Sequence, residues 1–321
     1  MHVALTGASG HLGANLVRAM LDRGWSVRCL VRDDDQRPLQ GLDVQTVRGD
    51  VCAPDTLEPL LEGVDAVFHC AALISISGGL GGRVWSTNVD GVRNMGRAAR
   101  AAGVRRFVHV SSCHAFDLHA DRVHEGGDRP GPHAATYDRS KAAGEAALQE
   151  IEGLRTTVLN PAGVLGPWDW RPSRMGRFLI AVRDRRLPAV VDGGFYFVDV
   201  RDVVDAVLRA AQVGRDGTGY LLGGHYFRIG DLARLAAQVA GVAPPRVVLP
   251  AWVAAASAPL GTAWARLTGS EPLFTDESIA TLRVPPDNFD QSRARDELGF
   301  SPRPMRETLQ AAYSSFERLG L

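Results

Sequence analysis

The chain alternates short apolar runs with longer amphipathic stretches. Val3–Thr6, Val27–Val31, Val44–Val47, Ala66–Cys70, Phe107–Val110 and Thr156–Leu159 are nearly continuous in apolar character. Such runs predict strands buried on both faces of a parallel sheet. Between them, His11–Arg23, Thr56–Leu61, Val84–Ala102 and Ala134–Glu150 carry apolar residues at helical spacing. Repeated strand–helix–strand order requires crossovers of one hand. The predicted class is α/β, a Rossmann-type doubly wound parallel sheet with helices on both faces.

Beyond Pro161 the rhythm loosens. Gly, Pro and Trp crowd Gly166–Pro172. Helices are predicted near Met175–Asp184, Val203–Ala211, Asp231–Ala240 and Arg306–Phe316, with a strand near Phe195–Val198. Ala251–Leu267 has a helical pattern interrupted by Pro259. This half predicts a smaller C-terminal substrate-binding lobe, about 166–193 and 226–321. The sheet domain then covers 1–165 and about 194–225. No flexible linker separates them, so one compact unit with a cleft is expected.

Composition changes the picture in two places. The 321 residues hold 36 basic and 36 acidic side chains. A neutral chain has no bulk attraction for nucleic acid or an anionic membrane, so neither is an expected partner. The second place is the identity of those bases: all but Lys141 are arginine. Lys is a compact ammonium that burial can tune, whereas Arg stays charged in a planar fork. The surroundings of Lys141 therefore matter. Cys29, Cys52, Cys70 and Cys113 form no CxxC pair and read as reduced thiols. No signal peptide or membrane span is read, since Leu249–Leu260 is too short to cross a bilayer. A cytoplasmic location is expected.

Thr6-Gly7-Ala8-Ser9-Gly10-His11-Leu12-Gly13 lies where the first strand meets the first helix. Gly7 suits a tight turn, Gly10 lets backbone approach a pyrophosphate, and Gly13 allows close helix–sheet contact. The helix N-terminus offers its free N–H groups to that anion. The second strand ends in Val31-Arg32, without the acidic residue that would bind a ribose 2′-hydroxyl. Arg32 can pair with a 2′-phosphate, so NADP(H) is favoured over NAD(H). Asp50, after the third strand, could accept a hydrogen bond from the adenine amino group.

Tyr137 and Lys141 stand four apart on a predicted helix and share a face. An ammonium there is expected to lower the phenol's pKa. Ser111-Ser112 ends a strand at the sheet's carboxyl edge, where ligands bind in this architecture. Ser112 would hold a substrate oxygen, Tyr137 would transfer the proton and Lys141 would tune Tyr137.

Together the glycine turn, Ser111-Ser112 and Tyr-xxx-Lys resemble the short-chain dehydrogenase/reductase superfamily in its extended branch, the NAD-dependent epimerase/dehydratase family. His69-Cys70-Ala71-Ala72, Asn88-Val89-Asp90-Gly91, Asn160-Pro161-Ala162-Gly163-Val164, Phe197–Val203 and Ala294–Pro302 extend the resemblance over the full chain. It implies redox chemistry at a carbinol or carbonyl. It also implies that Asn88 supports a proton-relay water, that Lys141 binds the nicotinamide ribose, and that Pro161–Val164 faces the nicotinamide. The cofactor surface so implied includes Gly7, Ser9, Gly10, His11, Leu12 and Gly13 in the turn. It continues over Arg32, Asp50, Val51, Ala71 and Ala72, and then Tyr137, Lys141, Pro161, Gly163 and Val164. A homodimer through the helices at 84–102 and 134–150 is a further expectation.

Within the family, sugar epimerases and dehydratases usually carry arginines that are missing near Asn160 and before Phe197. The second strand and Asn160-Pro161 are closer to the dihydroflavonol reductase and 3β-hydroxysteroid dehydrogenase-like branch. That implies an NADPH-dependent ketone or aldehyde reductase with a small, apolar or aromatic substrate. His114, Trp168 and Phe178 are its candidate substrate contacts. A nucleotide-sugar epimerase/dehydratase and a non-catalytic NADP-binding redox sensor are the alternatives. His114, His119, His124 and His133 match no metal-ligand spacing, so no metal is expected.

Overall fold

The computed structural model describes residues 1–32, 36–75, 78–187, 189–250, 252 and 281–321. Seven strands form one sheet in the order β10-β6-β5-β4-β1-β2-β3. They are β1 His2–Thr6, β2 Ser26–Val31, β3 Gln45–Arg48, β4 Ala66–His69, β5 Arg106–Val110, β6 Thr156–Pro161 and β10 Thr218–Leu222. Every pairing in this sheet is parallel. Except at the edge strand β3, which stays largely exposed, the apolar runs that predicted strands are buried because helices cover both faces. On one side, α1 (His11–Asp22), α7 (Val200–Val213) and α9 (Ser292–Leu298) enclose Leu16, Val17, Val207 and Leu298. On the other, α2 (Glu58–Leu61), α4 (Gly91–Ala101) and α5 (Thr136–Gln149) enclose Leu60, Met95, Phe107 and Leu148.

Strand β10 was not anticipated from the sequence. Its run Thr-Gly-Tyr-Leu-Leu has a glycine second and little β-branching, so only pairing with β6 makes it a strand. Segment 194–199 also departs from expectation. Read with the large sheet, it instead forms β9 (Gly194–Asp199) between β7 (Gly163–Leu165) and β11 (His225–Arg228) in a small sheet. Its alternate aromatics Phe195 and Phe197 sit in a second apolar core. That core also takes residues from α6 (Arg174–Arg183), α8 (Ile229–Ala240) and α10 (Met305–Leu319). β8 (Ala189–Val191) and β12 (Val247–Leu249) pair beside it. The helical pattern at Ala251–Leu267 lies outside the described residues, Trp252 excepted. Among the described residues no helix is long and apolar enough to cross a membrane.

The strand order reverses at β1, with β2 on one side and β4 on the other. Such a switch point opens a crevice at the carboxyl ends of the strands. Gly7 turns the chain there at φ +73°, and a Cβ on it would stand 2.7 Å from the Cys70 carbonyl carbon. A Cβ on Gly13 would stand 2.1 Å from the Gly7 oxygen, so this helix reaches the turn only with glycine at that position.

Candidate active site

The crevice is braced by Thr6. Its buried hydroxyl accepts the N–H groups of Cys70 (3.2 Å) and Ala71 (3.1 Å) and meets His69 Nδ1 at 3.0 Å. The ends of β1 and β4 are thereby tied together. Above them, α1 begins at Gly10 with no side-chain cap and no acidic residue in its first turn. Its leading N–H groups are left for an external anion. A Cβ on Gly10 would touch only the Gly7 oxygen, at 3.3 Å, so the space in front of this glycine is open to a ligand's approach. Uncapped donors, an open glycine and the switch point together fit a dinucleotide pyrophosphate. The His11 side chain is committed elsewhere: Nε2 meets the Pro167 carbonyl at 3.0 Å, beside a second bond from Asn15 Nδ2.

The long helix predicted at Val84–Ala102 is interrupted. A π turn at Ser86–Asp90 separates α3 (Arg83–Trp85) from α4. Asn88 sits in that turn, a device that re-aims side chains at functional sites. Its Oδ1 accepts the Leu73 N–H at 2.8 Å, while Nδ2 donates to the Leu73 carbonyl and to Ser140 Oγ, both at 3.0 Å. These bonds use both amide donors, so the side chain ties the strand exit to α5. Gly144 lets α5 come this close, since a Cβ there would stand 2.2 Å from the Asn88 carbonyl oxygen.

Ser112 lies two residues past the end of β5 and caps a short turn at Cys113–Ala115, accepting the His114 N–H at 3.3 Å. Its hydroxyl also favours the ionised form of the Tyr137 phenol. Ser111 Oγ is buried without a partner among the described residues, and Ser112 is the hydroxyl that acts on the tyrosine. Tyr137 keeps part of its surface open to the cleft. Its hydroxyl nevertheless lies deep, and burial pushes the phenol well above its ordinary range. The expected lowering by Lys141 is therefore overturned: desolvation outweighs every opposing influence. Lys141 is 3% exposed, and its Nζ donates to the Val110 carbonyl at 3.3 Å. Burial lowers its pKa from 10.5 to about 8, against the pull of Glu145. His69 and His109 lie nearby, both kept neutral chiefly by burial and secondarily by the Lys141 charge.

Glu145, one turn beyond Lys141, is a residue the sequence reading missed. Its carboxylate is buried and accepts Arg129 Nη1 at 2.7 Å and Asn160 Nδ2 at 2.6 Å. Arg129 also donates to the Ala115 carbonyl, and Asn160 Nδ2 to the Ser112 carbonyl at 3.0 Å. The turn carrying Ser112 is thus bolted to the helix carrying Tyr137. The only sequence signal was a Lys–Glu pair at i,i+4, ordinarily a surface feature. Replacing Glu145 by Ala is expected to cost about 2 kcal/mol of stability, since it strands Asn160 while half-exposed Arg129 recovers water. Thermal unfolding checks this, and an unchanged Tm would show that the network does not hold the turn.

His114 stands edge-on to Tyr137, ring centroids 5.5 Å apart, with Phe195 on another side at 5.8 Å. Its Nδ1–H donates to Asp138 Oδ1 at 2.8 Å. Trp168 does not join this group. Its ring lies between Arg18 of α1 (4.1 Å) and Arg318 of α10 (5.3 Å), because cation–π contact draws it onto the outer helices. Phe178 packs partly buried against the lobe core. At the other end of the crevice, Arg32 Nη1 lies 3.9 Å from Asp50 Oδ2, both about half exposed. Asp50 Oδ1 closes a turn onto the Cys52 N–H at 2.9 Å, so that oxygen is occupied. Val51 is buried beneath Gly91, while Ala72 is exposed at the crevice. Pro161 is buried at the end of β6, with Gly163 and Val164 following in β7. Among the described residues no group of His, Cys, Asp and Glu could hold a metal ion.

Residues 3–223 match the NAD dependent epimerase/dehydratase family. The chain belongs to that family. Members are NAD(P)-dependent oxidoreductases, and the chain is one. It is 36% identical over its whole length to the whole of sterol demethylase protein B of Methylococcus capsulatus. It is 32% identical to ceramide reductase of Caulobacter vibrioides, over 85% of this chain and 81% of that one. The crystal structure of gox2253 superposes with a TM-score of 0.84 at 32% identity, covering 100% of this chain and 98% of the other.

Proposed function

We propose that this family member uses NADPH to reduce a ketone or aldehyde on an apolar, lipid-like substrate, or runs the reverse oxidation. The observation that carries the reading is the Tyr137 hydroxyl beside Ser112 and one helical turn from buried Lys141. The nicotinamide, when bound, supplies or accepts the hydride. Ser112 donates a hydrogen bond to the substrate oxygen and holds it against Tyr137. Burial keeps the phenol protonated, the form needed to neutralise an alkoxide developing at that oxygen. Lys141 stabilises the phenolate left behind and returns a proton to it.

The apolar substrate class has two supports. Ile74 and Leu80 are 66% and 43% exposed on the stretch that follows β4, whose Gly79 packs on Thr136 next to Tyr137. Exposed apolar side chains on a segment that reaches Thr136 suit an apolar ligand. The sterol and ceramide names of the two relatives point the same way. NADPH consumption against ketosteroids, flavonoid-like ketones, long-chain ketones and small aldehydes tests the class. Turnover of the small aldehydes alone would defeat it.

The preference for NADPH rests on Arg32. A 2′-phosphate would displace Asp50 from a pair only 3.9 Å wide and exposed on both sides. Arg32→Ala is expected to raise the KM for NADPH by roughly 10- to 100-fold, the loss of one charge-assisted contact. The KM for NADH should stay unchanged. Wild-type enzyme using both cofactors equally well would overturn the assignment.

A further inference from the structure

One face of α1 is given over to a single short stretch of chain. His11, Asn15 and Arg18 recur at i, i+4 and i+7, so they share a face of the helix. All three reach Pro167 and Trp168. A carbonyl can only accept, so His11 Nε2 and Asn15 Nδ2 both donate to the Pro167 oxygen, at 3.0 and 2.8 Å. The Arg18 guanidinium lies 4.1 Å from the centre of the Trp168 ring. Asn15 is buried, and its Nδ2 also donates to the His11 carbonyl at 2.9 Å. This amide therefore fastens the uncapped first turn of α1 to the chain that follows β7. The far side of Trp168 belongs to α10. Its N–H donates to the buried Ser315 Oγ at 2.8 Å, and Arg318, one turn on, lies 5.3 Å from the ring. Trp168 holds φ +61°, a left-handed backbone that a bulky residue seldom adopts. Such strain persists only where the surroundings over-determine it. Here two helices from opposite ends of the chain do so, each placing a cation on the indole.

We propose that Trp168 is a positioning residue for the cofactor: it ties the helix that receives the dinucleotide phosphates to α10, so that filling the cofactor site steadies α10. The inference rests on the reading of the α1 N-terminus as the pyrophosphate site, and the carbonyl chemistry at Tyr137 plays no part in it. His11 and Asn15 belong to the first turns of α1, so whatever steadies those turns steadies the Pro167 carbonyl. The restraint passes to the next residue, Trp168, and from its N–H and ring to Ser315 and Arg318. Coupling between two sites is reciprocal. If an occupied cofactor site steadies α10, then an intact grip on Trp168 must strengthen cofactor binding by the same factor.

The test uses the full chain with NADPH or NADH, whichever binds more tightly, and no substrate. Affinity is read from the nicotinamide fluorescence, and the backbone by hydrogen exchange with mass spectrometry. Trp168→Leu should weaken binding by roughly 10-fold, the scale of two cation–π contacts. Trp168→Phe keeps an aromatic face between the guanidiniums and should stay within about threefold of wild type. In wild type, saturating cofactor should slow exchange at 315–319 by a similar factor, roughly 10, beyond any change in α8, which packs in the same apolar core. That excess should vanish in Trp168→Leu. Ser315→Ala removes the acceptor of the Trp168 N–H and carries the same comparison should the Leu variant fail to fold: affinity and excess protection should fall together. Exchange at 315–319 unmoved by cofactor in wild type overturns the inference. So does wild-type affinity in Trp168→Leu and Ser315→Ala, or an equal loss in the Leu and Phe variants. The wild-type titration by itself reports on the cofactor reading, and turnover of ketones, measured separately, on the carbonyl reading.

Discussion

Tyr137→Phe is expected to lower kcat by roughly 1,000-fold, within the range for losing a positioned acid. The ring keeps its volume and its edge contact with His114, so stability should change little. NADPH binding, read by fluorescence titration, should stay within about threefold, since the substitution removes one hydroxyl and no phosphate contact. The pattern separates proton transfer from assembly of the site. A variant that turned over ketone at a tenth of the wild-type rate or better would remove Tyr137 from the chemistry.

Lys141→Met should show activity and stability moving in opposite directions. Turnover should drop by roughly 100-fold or more, because the phenolate loses its stabilising charge and proton source. Stability should rise. Lys141 is 3% exposed, and its pKa falls from 10.5 to about 8. A displacement of that size corresponds to about 3 kcal/mol set against folding at pH 7, to order of magnitude. Met keeps the apolar stem and removes the buried charge. Glu145 is not stranded, because Arg129 and Asn160 remain on it.

The pH dependence has a definite sign. Between about 8 and 10.5 the unfolded chain holds this proton and the folded chain has released it. Wild-type stability therefore gains with rising pH across that window through this group, and Lys141→Met lacks the gain. The buried thiols of Cys29 and Cys70, raised to about 12, oppose it above pH 9 in both proteins. The difference between the two unfolding curves reports the lysine together with its coupling to the Cys70 thiol. A Met variant less stable than wild type at pH 7 would make Lys141 a structural residue.

The strands and helices of the sheet domain were legible because parallel strands buried on both faces must be apolar throughout, and their covering helices must be amphipathic. The glycine turn was legible because Gly7 and Gly13 each face backbone within 2.8 Å of a would-be Cβ. Spacing alone placed Tyr137 and Lys141 on one helical face. The missed pieces share one cause: each depends on contacts distant in sequence. Strand β10 exists only through its pairing with β6. Glu145 leaves the surface only because Arg129 and Asn160 meet it. Only the π turn and the approach of α5 bring the Asn88 amide to Leu73 and Ser140.

The same division runs through the chemistry. The amino-acid sequence by itself determined which groups could act: one lysine among arginines, a tyrosine four residues before it, a strand-end serine and a glycine turn. Reactivity was decided by burial, a property of the assembled fold. In water an ammonium near a phenol favours the phenolate. Inside this protein desolvation raises the phenol and lowers the ammonium, so both favour their neutral forms. Tertiary structure likewise sent Trp168 to the outer helices and brought His114 to Tyr137. Local spacing cannot encode those outcomes, because they depend on which surfaces lose water when the chain folds.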